Sequence, residues 1–160
     1  MIKILKNIKW MILIASLIIA QLAGIFGSFF TSSSVSTWYL TLQKPFFNPP
    51  SWVFAPVWIC LFFLIGLSLY FVWISESKYK KVGLWFFSIQ LVLNILWSMF
   101  FFGLKNPLLG LIDIVFLWAF ILVTMLYFFK IDRRAGWFFV PYLVWVSFAV
   151  VLNYTIVLLN

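Results

Sequence analysis

Five long apolar stretches separated by short polar connectors leave this chain few ways to fold. An α-helix crosses the hydrocarbon core of a bilayer in about 20 residues. The stretches fall near residues 10–30, 51–74, 83–102, 108–129 and 136–158. Each is a continuous run, without the period-two alternation that marks a lipid-facing barrel. The fold class this predicts is an all-α membrane protein, a bundle of five transmembrane helices forming one domain over residues 1–160. Thr31-Ser32-Ser33-Ser34 reads as the end of the first span. A connector with Lys44, Pro45, Pro49 and Pro50 then leads into the second. Pro107 suits the first turn of the fourth helix, where its missing N–H costs nothing.

Composition excludes the soluble alternatives. Hydrophobic residues make up 66% of the chain and charged residues 9%, against about 45–50% and about 25% in ordinary globular proteins. The net charge of +8 would point to nucleic acid in a soluble chain. Here it reads first as topology, and no nucleic-acid partner is expected. Lys3, Lys6 and Lys9, then Lys78, Lys80 and Lys81, then Lys130, Arg133 and Arg134 share one side, leaving only Lys44 and Lys105 on the other. Basic residues stay on the cytoplasmic side, so the N-terminus is expected in the cytoplasm of a bacterial-type cell membrane, with headgroup lipids as partners. The first apolar stretch is too long for a typical signal-peptide core and reads as a retained span.

Histidine is absent and Cys60 is the single cysteine. No intrachain disulfide can form, and the zinc, iron–sulfur and His-ligated haem sites lack their ligands. No metal and no required cofactor is expected. A Ser-His-Asp or Cys-His catalytic group is likewise impossible.

Tryptophan divides into two sets. Trp10, Trp73, Trp85 and Trp137 lie at the cytoplasmic ends of four spans, where an interfacial belt is expected. Trp52, Trp58, Trp97, Trp118 and Trp145 lie elsewhere, and Trp38 stands between a lid and the outer belt. Gln21, Gln90, Asn94, Asp113 and Asn153 fall inside spans, where polar groups are costly and face the bundle interior. Gln90, Asn94 and Trp97 share one face of the third helix, and Tyr142, Trp145, Ala149 and Asn153 trace a similar face on the fifth. The pattern predicts a cavity in the outer half of the bundle, roofed by the first connector; interhelical hydrogen bonding is the alternative use of these amides. Pro56 and Pro141 are placed to bend their helices around it. The Ala20-x-x-x-Gly24 and Ala23-x-x-x-Gly27 patterns allow close helix approach, within the fold or between protomers.

The run Lys44-Pro45-Phe46-Phe47-Asn48-Pro49-Pro50-Ser51-Trp52-Val53-Phe54-Ala55-Pro56-Val57-Trp58 resembles the signature of the TspO/MBR family of translocator and tryptophan-rich sensory proteins. Gln90-x-x-x-Asn94-x-x-Trp97-Ser98, Phe100-Phe101-Phe102-Gly103, Asp113, and Pro141-Tyr142-Leu143-x-Trp145-x-x-Phe148-Ala149 agree in order and spacing. The resemblance implies a dimeric five-helix receptor or sensor. Its pocket would bind porphyrins such as protoporphyrin IX, and benzodiazepine-site ligands. It implies that Trp52 and Asn94 hydrogen-bond the ligand. Trp97, Tyr142, Trp145, Phe148 and Ala149 would belong to the pocket, and Pro49 and Pro50 would shape its roof. An enzyme degrading protoporphyrin in light, with Trp52 and Trp145 as the catalytic redox residues, is an alternative; so is a transporter of tetrapyrroles or other small hydrophobic molecules. Leu152 and Tyr154 begin the cholesterol motif of animal members, but no Lys or Arg follows to complete it.

Overall fold

The computed structural model describes residues 9–160, so Lys3 and Lys6 lie outside it. Five helices long and apolar enough to cross a membrane form the described chain. They are α1 (Trp10–Val35), α2 (Phe54–Ile74), α3 (Lys80–Ser98), α4 (Pro107–Ile131) and α5 (Arg133–Leu159). The connector after α1 holds a helical turn, Trp38–Thr41, and a 3₁₀ turn, Ser51–Val53, that runs into α2. Around the bundle the helices neighbour one another in the order α1, α2, α5, α4, α3, closing back on α1.

The expected spans are present, with longer ends. Thr31 to Ser34 does not terminate α1, because the hydroxyls here find acceptors within the protein and so need neither water nor a loop. Ser28 Oγ donates to Ile25 O at 2.7 Å, and Thr31 Oγ1 donates to Gly27 O at 3.2 Å. Ser34 is buried and donates instead across the bundle to Phe102 O at 2.9 Å. At the start of α4, Asn106 Oδ1 accepts from both Leu108 N and Leu109 N at 3.1 Å, capping a helix whose first residue is Pro107. The turn between α4 and α5 is held by Asp132, which accepts from Arg134 N and pairs with its guanidinium at 2.8 Å. That pairing holds the Asp132 carboxyl below its ordinary range.

Lipid is as apolar as leucine, so packing in a membrane relies on close approach and hydrogen bonds. Ala20, Ala23 and Gly27 are buried within this fold, so the small-residue patterns of α1 serve intrachain packing. A Cβ placed on Gly66 would lie 2.9 Å from Leu17 Cα, so only glycine lets α1 and α2 cross this closely. Ser68 Oγ donates to Ala135 O at 2.7 Å and ties α2 to α5. In the half near Lys80 and Arg133, Phe87, Phe128 and Phe139 pack ring on ring at 5.2–6.2 Å. This half is solid. The opposite half is hollow.

Candidate functional site

Beyond Ser98 the third span leaves α-helical geometry for one π turn, Met99–Gly103. Leu104 N bonds to Met99 O at 2.8 Å, five residues back. An inserted residue of this kind shifts the facing of everything after it, and such turns recur at functional sites. Here both Phe101 and Phe102 are buried, though they are sequence neighbours. Trp97 stacks on Phe101 at 5.4 Å and meets Phe102 edge-on at 5.9 Å.

These rings form one wall of a cavity of about 490 Å³ in the hollow half of the bundle. Helices α1, α2, α3 and α5 line it, together with Tyr39 from the connector, while no residue of α4 does. Its aromatic walls are Trp58, Trp97, Trp145, Phe54, Phe62, Phe101 and Phe102, beside Tyr39. Trp58 is stacked on Phe62 at 5.5 Å, and Trp145 meets Phe54 edge-on at 6.1 Å. Residues of α1 between Gln21 and Val35, serines and glycines among them, complete the lining.

Polar groups at the inner end are organised by two bonds across the bundle. Asn94 Nδ2 donates to Tyr142 Oη at 2.8 Å, and Tyr142 Oη donates to Gln90 Oε1 at 3.0 Å. An amide has two N–H donors and a carbonyl, so Asn94, which lines the cavity, keeps one N–H and its Oδ1 for a ligand. Trp97 is oriented by Asn153, whose Oδ1 accepts from the indole Nε1 at 3.2 Å while its Nδ2 donates to Pro107 O at 2.9 Å. Asn153 therefore joins α3, α5 and the start of α4 and fixes the face that Trp97 presents.

The roof is a bonded lid. Tyr39 Oη donates to Asn48 Oδ1 at 2.7 Å, and Lys44 Nζ sits 5.0 Å from the Tyr39 ring centre. Burial pushes the Tyr39 hydroxyl up to about 12, against the pull of its bond to Asn48. Asn160 brackets Gln43, accepting from Gln43 N at 3.0 Å and donating to Gln43 O at 3.1 Å. Trp38 packs edge-on against Phe101 at 5.6 Å, which makes it part of this roof.

Asn94, Trp97, Trp145 and Ala149 thus stand at one cavity wall. Tyr142 is fully buried and lies behind the wall, touching it through the bond from Asn94 and edge-on against Trp58 at 6.2 Å. Phe148 also stands behind it and supports the roof through Phe47, at 6.3 Å. Pro49 and Pro50 precede the 3₁₀ turn without lining the cavity. Trp52 projects outward from that turn and is 74% exposed, so it and Trp145 do not share the cavity. Pro56 and Pro141 both face outward. Trp118 lies on the far side of the bundle, donating to Ser147 Oγ at 2.7 Å. Asp113 is buried on α4, with Oδ2 unpartnered among the described residues. Tyr39, Phe54, Phe62, Phe101 and Phe102 join the cavity beyond the residues expected from the sequence, and on α1 the sequence marks only Gln21 as facing inward; the i, i+3, i+7 spacing of Ala55, Trp58 and Phe62 on α2 is the signal that marks one helical face.

Comparison with known proteins agrees with the geometry. The model of the TspO/MBR family matches residues 15–159. The chain is 46% identical over 152 residues to the tryptophan-rich protein TspO of Archaeoglobus fulgidus, covering 92% of this chain and 96% of that one. It is 49% identical over 141 residues to the tryptophan-rich protein TspO of Chlorobaculum tepidum, covering 86% and 88%. It is 30% identical over 148 residues to the translocator protein of Bos taurus, covering 91% and 88%. A five-helix bundle with this motif order, matched along nearly its whole length, belongs to the TspO/MBR family.

Proposed function

We propose that this protein is an integral membrane receptor or sensor whose outer cavity holds a flat, conjugated, apolar ligand of the porphyrin type, protoporphyrin IX being the model case. The observation that carries this reading is the conjunction of three indoles, Trp58, Trp97 and Trp145, with an amide that keeps spare hydrogen-bonding groups, Asn94, on the wall of a single cavity. Small-molecule pockets run from about 300 to 1,000 Å³ and combine apolar walls with few orienting polar groups. Indole faces and edges suit an extended π-system. Asn94 Oδ1 is an acceptor suited to a pyrrole N–H, and its spare N–H is a donor suited to a carbonyl. With no histidine in the chain, recognition rests on stacking and amide hydrogen bonds, so a metal-free ring is favoured over haem. Benzodiazepine-site ligands, flat and carrying a carbonyl, fit the same features. Asp113 stands apart from the cavity wall, which gives a proton-coupled transport reading less support. The basic residues at the solid end support a cytoplasmic position for that end, with the cavity in the half toward the other side, and a homodimer is the assembly proposed.

Titration with protoporphyrin IX in detergent tests the reading through tryptophan fluorescence. Saturable quenching is expected. Asn94→Ala should weaken it about tenfold, the equivalent of one hydrogen bond of about 1.4 kcal/mol. Non-saturable quenching, or unchanged affinity in both Asn94→Ala and Trp97→Ala, overturns it.

A further inference from the structure

The cavity has two boundaries that could open, and they are built differently. The roof is held by the Tyr39–Asn48 bond, by Lys44 against Tyr39, and by the two bonds between Asn160 and Gln43. Admission through it requires polar contacts to break. The flank between α1 and α2 has no such closure. Near their inner halves these helices touch closely, at Leu17 with Gly66 and at Gly24 with Phe62.

Further out, α1 is drawn to the other side. Gly27 faces Ser98, Phe30 faces Gly103, and Ser34 donates to Phe102 O at 2.9 Å. These contacts hold the outer half of α1 against α3 and its π turn, and α2 is left behind. Across the resulting seam, Ile25, Ser28 and Ser32 of α1 face Ser51, Ala55 and Ile59 at the start of the second span. All six line the cavity and all six are exposed on the outside; Ile25 is 50% exposed and Ile59 61%. A side chain that is both inner wall and outer surface marks a wall one residue thick. The seam is edged mainly by small side chains. One hydrogen bond, Gln21 Nε2 to Ile59 O at 3.3 Å, crosses at its inner edge, and none crosses further out among the described residues.

We infer that the ligand enters and leaves sideways from the bilayer, through the seam between the outer halves of α1 and α2, with Gln21 closing its inner end. This rests on the binding reading above and adds a route to it. A flat apolar molecule concentrates in lipid, because leaving water is favourable for its surface. From there it meets the thin wall edge-on, and its polar groups need never leave the headgroup region. A water-side route through the roof would break at least three hydrogen bonds at each passage.

The test is kinetic, on the full chain in lipid nanodiscs, with protoporphyrin IX as probe. Ser32→Cys and Ser51→Cys are combined in a Cys60→Ser background and bridged by a short bis-methanethiosulfonate, which dithiothreitol releases. The control bridges Gln43→Cys to Asn160→Cys and so pins the roof. Bridging the seam should slow both association and dissociation by about tenfold or more, as closing a gate does, with recovery on release; pinning the roof should leave both rates unchanged. Protein loaded before bridging carries its bound ligand as proof of an intact bundle, and its release should slow equally. Unchanged release from seam-bridged, loaded protein overturns the proposal, as does slowing by the roof bridge. Absence of saturable binding in the unbridged protein would instead sink the binding reading itself.

Discussion

The Asn94 side chain donates to the Tyr142 hydroxyl at 2.8 Å, so a residue on the cavity wall is aimed by one that never reaches it. Tyr142 passes the chain of bonds to Gln90, 3.0 Å further on. Two variants separate aiming from contact. Tyr142→Phe strands Asn94 Nδ2 and Gln90 Oε1 in a dry interior, at a cost of about 1–3 kcal/mol. It should lower thermal stability in detergent while leaving the Asn94 amide in place, so protoporphyrin affinity falls less than in Asn94→Ala. Paired thermal melts and quenching titrations check this. A larger affinity loss in Tyr142→Phe than in Asn94→Ala would contradict the division of roles.

Trp97 and Asn153 should behave as one unit. The indole N–H at 3.2 Å from Asn153 Oδ1 fixes the ring that stacks on Phe101. Trp97→Phe, Asn153→Leu and the double variant form a cycle, and residues sharing a hydrogen bond couple by about 0.5–3 kcal/mol. Stability and ligand affinity should both show the second substitution costing less than it does alone. Additive effects in both measurements would mean that Asn153 matters only through Pro107, to which it also donates.

The roof should loosen in alkali. Tyr39 titrates near 12 when buried, against an ordinary value of 10.0. A group whose folded pKa is raised contributes stability that is complete below the unfolded value and lost as pH rises through the folded one. The Tyr39 contribution is therefore full below about pH 10 and lost across pH 10 to 12. Proteolysis of the 42–50 connector should accelerate through that window in the parent protein. Tyr39→Phe retains the ring beneath Lys44 and removes the titrating proton, so the Tyr39-dependent part of the acceleration should vanish. An identical pH profile in the variant would assign the change elsewhere.

How far the sequence discloses this site depends on which physical signal each residue carries. The spans are legible because 20 apolar residues have few other uses in water, and Asn94, Trp97, Trp145 and Ala149 are legible because helical spacing puts polar and aromatic groups on facing stripes. The remainder depends on register. The π turn has no hydropathy signature, yet it alone turns Phe101 and Phe102 inward together. Thr31 to Ser34 looks like a linker until its hydroxyls are seen bonding within α1 and to Phe102. Trp52 and Trp58 lie in one motif, but the 3₁₀ turn at Ser51–Val53 points the first away from the cavity while α2 points the second into it. A local change of helix type decides these residues, and it is set by packing that no short window of sequence contains.

Asp113 carries the last prediction, because a lone carboxyl inside a span invites a proton-transfer role. It is buried on α4, the one helix that contributes nothing to the cavity wall, and its Oδ2 has no partner among the described residues. A binding role would require it to meet the ligand, and a transport role would require a proton to leave it during the cycle. Asp113→Asn keeps the size, removes the proton and adds a donor. If the residue only fills space between helices, the variant should fold, bind protoporphyrin within about twofold of the parent, and keep the same pH profile of affinity, a change well below the 1.4 kcal/mol of a tenfold effect. Titrations across pH 5 to 9 in nanodiscs decide this. A pH-dependent affinity in the parent that flattens in Asp113→Asn would show instead that the carboxyl is coupled to the ligand across the bundle interior.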